Sequence, residues 1–208
     1  MRTWTGIAVS IAWLLTAQAA QAAQAAPAVG PRDAVEGAVG RFMNIVQTTR
    51  SAGVNIADRS EQIRQIVRDM FDFDEISKRA LARHWQALQR EEQTEFVTLF
   101  RDLLERAYLT QIETASGGEK IAFIDESIEK GSATVRSKVM TRHGAEIPLD
   151  YRLHVRDGSW RIYDVAVQGV SFIASYRTQF DRVIRAESYS SLRERLQKKA
   201  TETAAAQR

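Results

Sequence analysis

Apolar residues recur at helical spacing through the first half of the chain. Val35, Val39, Phe42, Met43 and Val46 form one stripe, opened by Asp33 and Glu36 at capping-box spacing and ended near Gly53. Asp58 with Glu61 opens a second stripe, carrying Ile63, Ile66, Val67, Met70 and Phe71. Asp72 with Glu75 opens a third, carrying Phe73, Ile76, Ala80, Leu81 and Trp85. The longest runs from about Glu91 to Glu113. Its Phe96, Val97, Phe100, Leu103, Leu104, Ala107, Tyr108 and Ile112 make a face broad enough to cover something large.

At Gly117-Gly118 the period falls from about 3.6 residues to about 2. Four strands are predicted, at about Lys120 to Glu129, Ala133 to Arg142, Glu146 to Arg156 and Ser159 to Gln168. The turns hold Lys130-Gly131, His143-Gly144 and Asp157-Gly158. The last is the strongest hairpin signal, because both central residues must tolerate positive φ. In the third strand Ile147, Leu149, Tyr151, Leu153 and Val155 share one face, while Asp150, Arg152, His154 and Arg156 take the other. Such alternation predicts an antiparallel sheet covered on one side and wet on the other. Gly169 closes the sheet. A helix carrying Val170, Ile173, Ala174, Tyr176, Phe180, Val183 and Ile184 follows, then a shorter one from about Ser190 to Lys199. Helices, an antiparallel meander and closing helices make an α+β domain over residues 33–199, with the helices on the sheet's apolar face. Residues 26–32 read as a flexible lead-in and 200–208 as a disordered tail.

The first 25 residues differ from the rest. Arg2 precedes an apolar stretch of nine residues, Ile7 to Leu15, and Ala17-Gln18-Ala19 and two similar small-residue triplets follow. This is the order of a secretory signal peptide, and nine residues fall short of the roughly 20 that span a bilayer. The 208-residue chain has no cysteine, which excludes disulfides and thiolate chemistry. Export without cysteine suits a bacterial periplasm. With 29 basic residues against 26 acidic ones, the balance is too even for a dedicated nucleic-acid binder.

Candidate chemistry is sparse. His84, His143 and His154 stand on a helix, in a turn and on the wet strand face, without metal-ligand spacing. Asp72, Asp74 and Glu75 read as helix-capping carboxylates rather than an acid–base or calcium cluster. No nucleophile elbow or phosphate-binding loop is present, so neither an enzymatic reaction nor a cofactor is predicted. From Arg177 to Lys199, seven basic residues face three acidic ones. Such a run is ordinarily a solvated face; the alternative is attraction to anionic headgroups or an acidic partner. Phe100, Tyr108, Tyr151, Phe172 and Tyr176 either fill a core or line a hollow, and composition alone favours the core.

Particular strings shift that balance. Gly158-Ser159-Trp160-Arg161-Ile162-Tyr163-Asp164-Val165, then Gly169-Val170-Ser171, then Tyr176-Arg177-Thr178-Gln179-Phe180 resemble the MlaC, or toluene-tolerance, family of periplasmic phospholipid-binding proteins. Phe71-Asp72-Phe73-Asp74, Ala80-Leu81, Trp85 and the run Gln93 to Tyr108 resemble its helical half. Before the last helix, Ser188, Ser190 and Ser191 stand where relatives often carry glycine and aspartate. The resemblance implies a fold related to nuclear transport factor 2, with a curved four-stranded sheet and helices enclosing a lipid cavity. It implies no catalysis and no cofactor, with phospholipid as cargo. The implied partners are an inner-membrane Mla-type ABC transporter with its substrate-binding membrane component and an outer-membrane lipoprotein–porin complex. A hopanoid-associated branch of the family leaves another lipid as the alternative cargo, and a non-carrying adaptor using the basic C-terminal helix is a further alternative. The expected lining is Val97, Phe100, Leu104 and Tyr108 from the long helix, Leu149, Tyr151 and Leu153 from the third strand, then Val165, Phe172, Ile173 and Tyr176. Trp160 is expected to anchor the sheet, and Arg177 to pair with a carboxylate such as Asp164.

Overall fold

The computed structural model describes residues 27–51, 56–114, 120–141 and 143–206. The expected signal peptide, the breaks at Gly53 and Gly117-Gly118, and Arg142 lie outside the described residues. Helix α1 spans Pro31–Ser51, α2 Ile56–Met70 and α3 Phe73–Leu81. A short 3-10 helix covers Ala82–Ala87, and α4 spans Arg90–Thr114. Strands follow at β1 Lys120–Glu129, β2 Ser132–Met140, β3 Glu146–Arg156, β4 Ser159–Val167 and β5 Val170–Ser171. Helices α5 Phe172–Ala186 and α6 Tyr189–Ala206 close the chain.

Local chemistry sets these boundaries, not always as the sequence suggests. Pro31 occupies the first position of α1, where its fixed φ fits and its missing N–H is not needed. The expected Asp33–Glu36 box does not form, because Glu36 accepts from Arg32 Nε at 2.7 Å instead. Asp72 does cap α3, accepting from Glu75 N–H at 3.0 Å. That helix ends early, at Ala82 with φ 48°, and leaves Trp85 on the 3-10 helix. Ser188 Oγ accepts from Ser191 N–H at 3.1 Å, so serine supplies the cap of α6. Helix α6 continues past Lys199 to Ala206, through residues expected to fray.

The sheet is an antiparallel meander in the order β1-β2-β3-β4-β5. It has five strands where four are expected. The fifth arises because Gln168 (φ 51°) and Gly169 (φ 78°) form a second tight turn, which pairs Val167 with Val170. The sequence carries only a lone glycine as signal there. The Asp157-Gly158 hairpin forms as predicted, both residues at positive φ. Strands β2 and β4 each stop short of their expected ends, at Met140 and Val167.

One irregularity shapes the interior. Arg152 pairs with Asp164 but Leu153 pairs with Ile162, leaving Tyr163 as the extra residue of a β-bulge. Beyond it β4 turns its free edge to the α2–α3 junction, where Asp72 N–H donates to the Ile162 carbonyl at 2.9 Å.

The core has two parts. Helices α1 and α2 cover the sheet with Val35, Ala38 and Met70, packed on Val135, Tyr151, Leu153, Trp160 and Ile162. A second cluster joins α3, α4, α5 and α6 through Ile76, Leu81, Phe96, Phe100, Phe180, Leu192 and Leu196. The expectation that helices pack on the apolar sheet face therefore holds for α1 and α2. Helix α4 leans chiefly on α2, α3 and α6.

Candidate functional site

Between the two core parts lies a cavity of about 380 Å³. Leu104, Glu105 and Tyr108 of α4 form one wall; Leu149 and Tyr151 of β3 with Tyr163, Asp164, Val165 and Val167 of β4 form the opposite one. Phe172 and Ile173 at the start of α5 close one end, and Val67, Phe71, Phe73 and Ile76 from the α2–α3 region close another. Most of the lining is aliphatic or aromatic. Interiors normally pack to crystal-like density, so a hollow this size needs walls that cannot fall inward.

The braces are visible. Tyr108 stacks edge-on to Phe172 with centroids 4.8 Å apart, Phe172 meets Tyr176 at 5.1 Å, and Tyr176 meets Phe100 at 5.0 Å. Phe100 meets Phe180 at 5.1 Å, and Phe96 sits beside both. This column ties α4 to α5 along the cavity's flank, each pair adding about 0.5–1.5 kcal/mol beyond simple burial.

Two carboxylates hold the other corners. Asp164 accepts from Arg152 Nη1 (2.8 Å), Ser171 Oγ (2.6 Å) and Ile173 N–H (3.0 Å), pinning the head of α5 to β4. Asp72, with its side chain 2% exposed, meets Arg156 and His154 (2.9 Å to Nε2) as well as capping α3. Burial pushes the Asp72 pKa upward. The Glu75 N–H, the Arg156 charge and the His154 hydrogen bond outweigh it and hold the group below its ordinary value.

Glu105 is the buried carboxylate of the α4 wall. Arg68 donates to both its oxygens at 3.2 and 3.4 Å, and Arg64 and Arg101 stand within 4.0 Å. Tyr151 is pushed up to about 12 by burial, against a smaller opposing effect of Ser137. Tyr176 is raised by burial and by the neighbouring Tyr108 hydroxyl.

Of the expected lining residues, Leu104, Tyr108, Leu149, Tyr151, Val165, Phe172 and Ile173 come together around the cavity. Four do not. Phe100 is fully buried one turn before Leu104, and Tyr176 packs behind the wall against Phe100, Phe172 and Phe180. Val97 is half-buried on α4 away from the lining. Leu153 lies past the Tyr163 bulge, where α1 and α2 already cover the sheet.

Sequence reasoning missed Val67, Phe71, Phe73 and Ile76 as lining, although each lies on a predicted apolar stripe. Periodicity shows that a face is buried, not whether it meets a neighbour or a void. Tyr163 gave no signal, since a bulge leaves no pattern. Glu105 gave none either, since it falls on the polar row of α4 with Thr94, Thr98 and Arg101.

Trp160 is buried in the sheet cluster. Arg177 does not pair with Asp164; its Nε donates to the Arg79 carbonyl at 3.1 Å, because Arg152 already occupies Asp164. His84 pairs with Asp181 and His154 with Asp72, while His143 is exposed. Among the described residues no cluster of three or more His, Cys, Asp or Glu could hold a metal ion. No described helix is long and apolar enough to cross a membrane.

Comparison with known proteins agrees with this architecture. The family described as "MlaC protein" matches residues 36–198. The fold is similar to that of a phospholipid-binding protein from Ralstonia solanacearum, solved in complex with a phospholipid. The TM-score is 0.74 at 22% identity, covering 85% of this chain and 99% of that one. No curated protein matches the sequence.

Proposed function

The chain belongs to the MlaC family, and on that premise we propose that it is a periplasmic lipid carrier, not an enzyme, whose cavity receives the acyl chains of a phospholipid. The observation that carries this reading is the braced apolar hollow between α4 and the sheet. Its volume falls in the range of about 300–1,000 Å³ typical of ligand sites. The similarity to a protein solved with phospholipid bound supports the same cargo. The secretory pattern of the first 25 residues supports the compartment.

Physical chemistry explains why such a carrier is needed and what it must be like. A two-chain phospholipid has on the order of 30 methylenes, each worth about 0.8 kcal/mol when removed from water. Unassisted escape from a bilayer therefore costs on the order of 24 kcal/mol before chain ordering is subtracted. A carrier that bound far more tightly than the membrane would never unload. An interior about as apolar as the bilayer makes exchange nearly neutral, so docking to partners controls transfer. Leu104, Val165, Phe172 and Ile173 supply such an interior. Val167 both lines the cavity and is 42% exposed, which leaves an opening where a headgroup stays near water. The partners in this reading are an outer-membrane lipoprotein–porin complex and an inner-membrane Mla-type ABC transporter with its substrate-binding component.

Organic extraction of protein purified without detergent, followed by lipid mass spectrometry, tests the proposal. Wild type is expected to yield phospholipid. Leu104→Asp, which puts a charge on the cavity wall, is expected to yield much less while remaining folded. Equal lipid from the folded variant would remove the cavity from the binding role.

A further inference from the structure

The basic run of the C-terminal third does not act alone in the fold. Helix α5 packs beside α3, and Arg83 and His84 of the 3-10 helix reach its Asp181, which brings two sets of cations into one surface. Lys78, Arg79 and Arg83 come from one side, Arg177 and Arg185 from the other, and all five are exposed. Among the described residues only Glu75 and Asp181 pair with them, and both are already engaged. Glu75 meets Arg79 at 2.8 Å and Lys78 at 3.7 Å. Asp181 meets Arg83, Arg185 and His84. Asp74, at the head of α3, is taken by Arg156 at 2.8 Å. The surface thus carries five cations against two carboxylates.

Three of the four guanidiniums are also held in place. Arg79 lies over the Tyr163 ring at 3.9 Å, and Arg177 is tied to the Arg79 carbonyl. Arg83 is tied to Asp181. We infer that this α3–α5 face is a docking surface for an acidic, carboxylate-rich protein surface.

Two observations favour a protein over an anionic bilayer. Four of the five groups are guanidiniums, whose planar forks pair with carboxylates two bonds at a time, and a rigid arrangement of forks suits a fixed pattern of acids more than a fluid headgroup layer. The face also offers nothing to insert. The large exposed apolar side chains among the described residues are Val29, Ile124, Ile128, Met140, Val167 and Val170, all on other elements, and the apolar side of α5 is spent on the core. Stable attachment to a membrane surface normally combines charge with an inserted apolar face or anchor. The inference does not depend on what the cavity holds.

The test uses the full mature chain, with poly-L-glutamate as the acidic probe and vesicles containing phosphatidylglycerol as the membrane probe. Wild type is expected to bind poly-L-glutamate with an affinity that falls steeply with salt. Lys78→Gln/Arg83→Gln/Arg185→Gln is expected to weaken that binding about tenfold, since each exposed pair contributes modestly. A control removing cations elsewhere, Arg136→Gln/Lys138→Gln, is expected to leave it unchanged. Melting temperature and bound-lipid content monitor folding and the cavity separately. Equal loss in both variants would overturn the proposal, as would vesicle binding that depends on the same three residues and exceeds poly-L-glutamate binding.

Discussion

Filling the cavity is the perturbation that most cleanly separates a hollow from an ordinary core. Val165 stands on β4 among the lining residues, opposite the Leu104 and Tyr108 wall of α4. Val165→Phe adds a ring's worth of apolar volume to a space of about 380 Å³. In a close-packed interior such an enlargement forces neighbours aside and costs about 1–3 kcal/mol. Here the added carbons enter existing space, each methylene equivalent gaining up to about 0.8 kcal/mol, offset partly by rotamer restriction. The expected net effect on the lipid-free protein is between no change and a gain of about 1 kcal/mol. The two outcomes differ by about 1–4 kcal/mol, a difference read by urea denaturation at constant m value. Delipidated protein must be used, because bound ligand stabilises the folded state by mass action and would mask the comparison. The same variant should carry less lipid. A loss of more than about 2 kcal/mol in the lipid-free state would refute the reasoning, since it would mean the side chains already fill the space.

Other expectations follow from the braces. Asp164→Ala removes the shared partner of Arg152, Ser171 and the Ile173 N–H, and chemical denaturation should show a loss of about 2–4 kcal/mol; Asp164→Asn, which keeps an acceptor, should lose less. Asp72 has a folded pKa below its unfolded 3.8, so its contribution is complete above that value and disappears as pH falls through it towards the folded pKa. In Asp72→Asn the acid limb of a stability–pH curve should be correspondingly shallower. Ser188→Ala removes the side-chain cap of α6 and should cost about 1 kcal/mol, read as a shift in urea midpoint.

Much of the fold was legible because each segment carries an unambiguous period. The stripe of Phe96, Phe100 and Leu104 could only be a helix, and the alternation from Glu146 to Arg156 could only be a half-buried strand. The turn at Asp157-Gly158 was readable because two adjacent residues advertise positive φ. Gln168-Gly169 does the same work with a glutamine that gives no warning, so β5 went unseen. The site was legible in part, for a related reason. Hydrophobic pattern marks which side chains avoid water, and Phe100 and Leu104 look alike on that measure, yet one is locked among rings and the other faces a void. The difference comes from tertiary geometry. The Tyr163 bulge turns β4 away from the patch covered by α1 and α2, and the aromatic column holds α4 off the sheet. Polar positions were similarly half-readable: Asp72 announced a cap, but its pairing with His154 and Arg156 depends on β3 arriving from 82 and 84 residues away.

Native mass spectrometry of the intact chain, expressed in a bacterium and never exposed to detergent, addresses the central claim directly. The account predicts a chain carrying one non-covalent adduct of phospholipid mass, released as lipid on collisional activation and diminished in Val165→Phe. A wild-type spectrum showing only the bare chain, from folded protein that also takes up no lipid from added phospholipid vesicles, would contradict it.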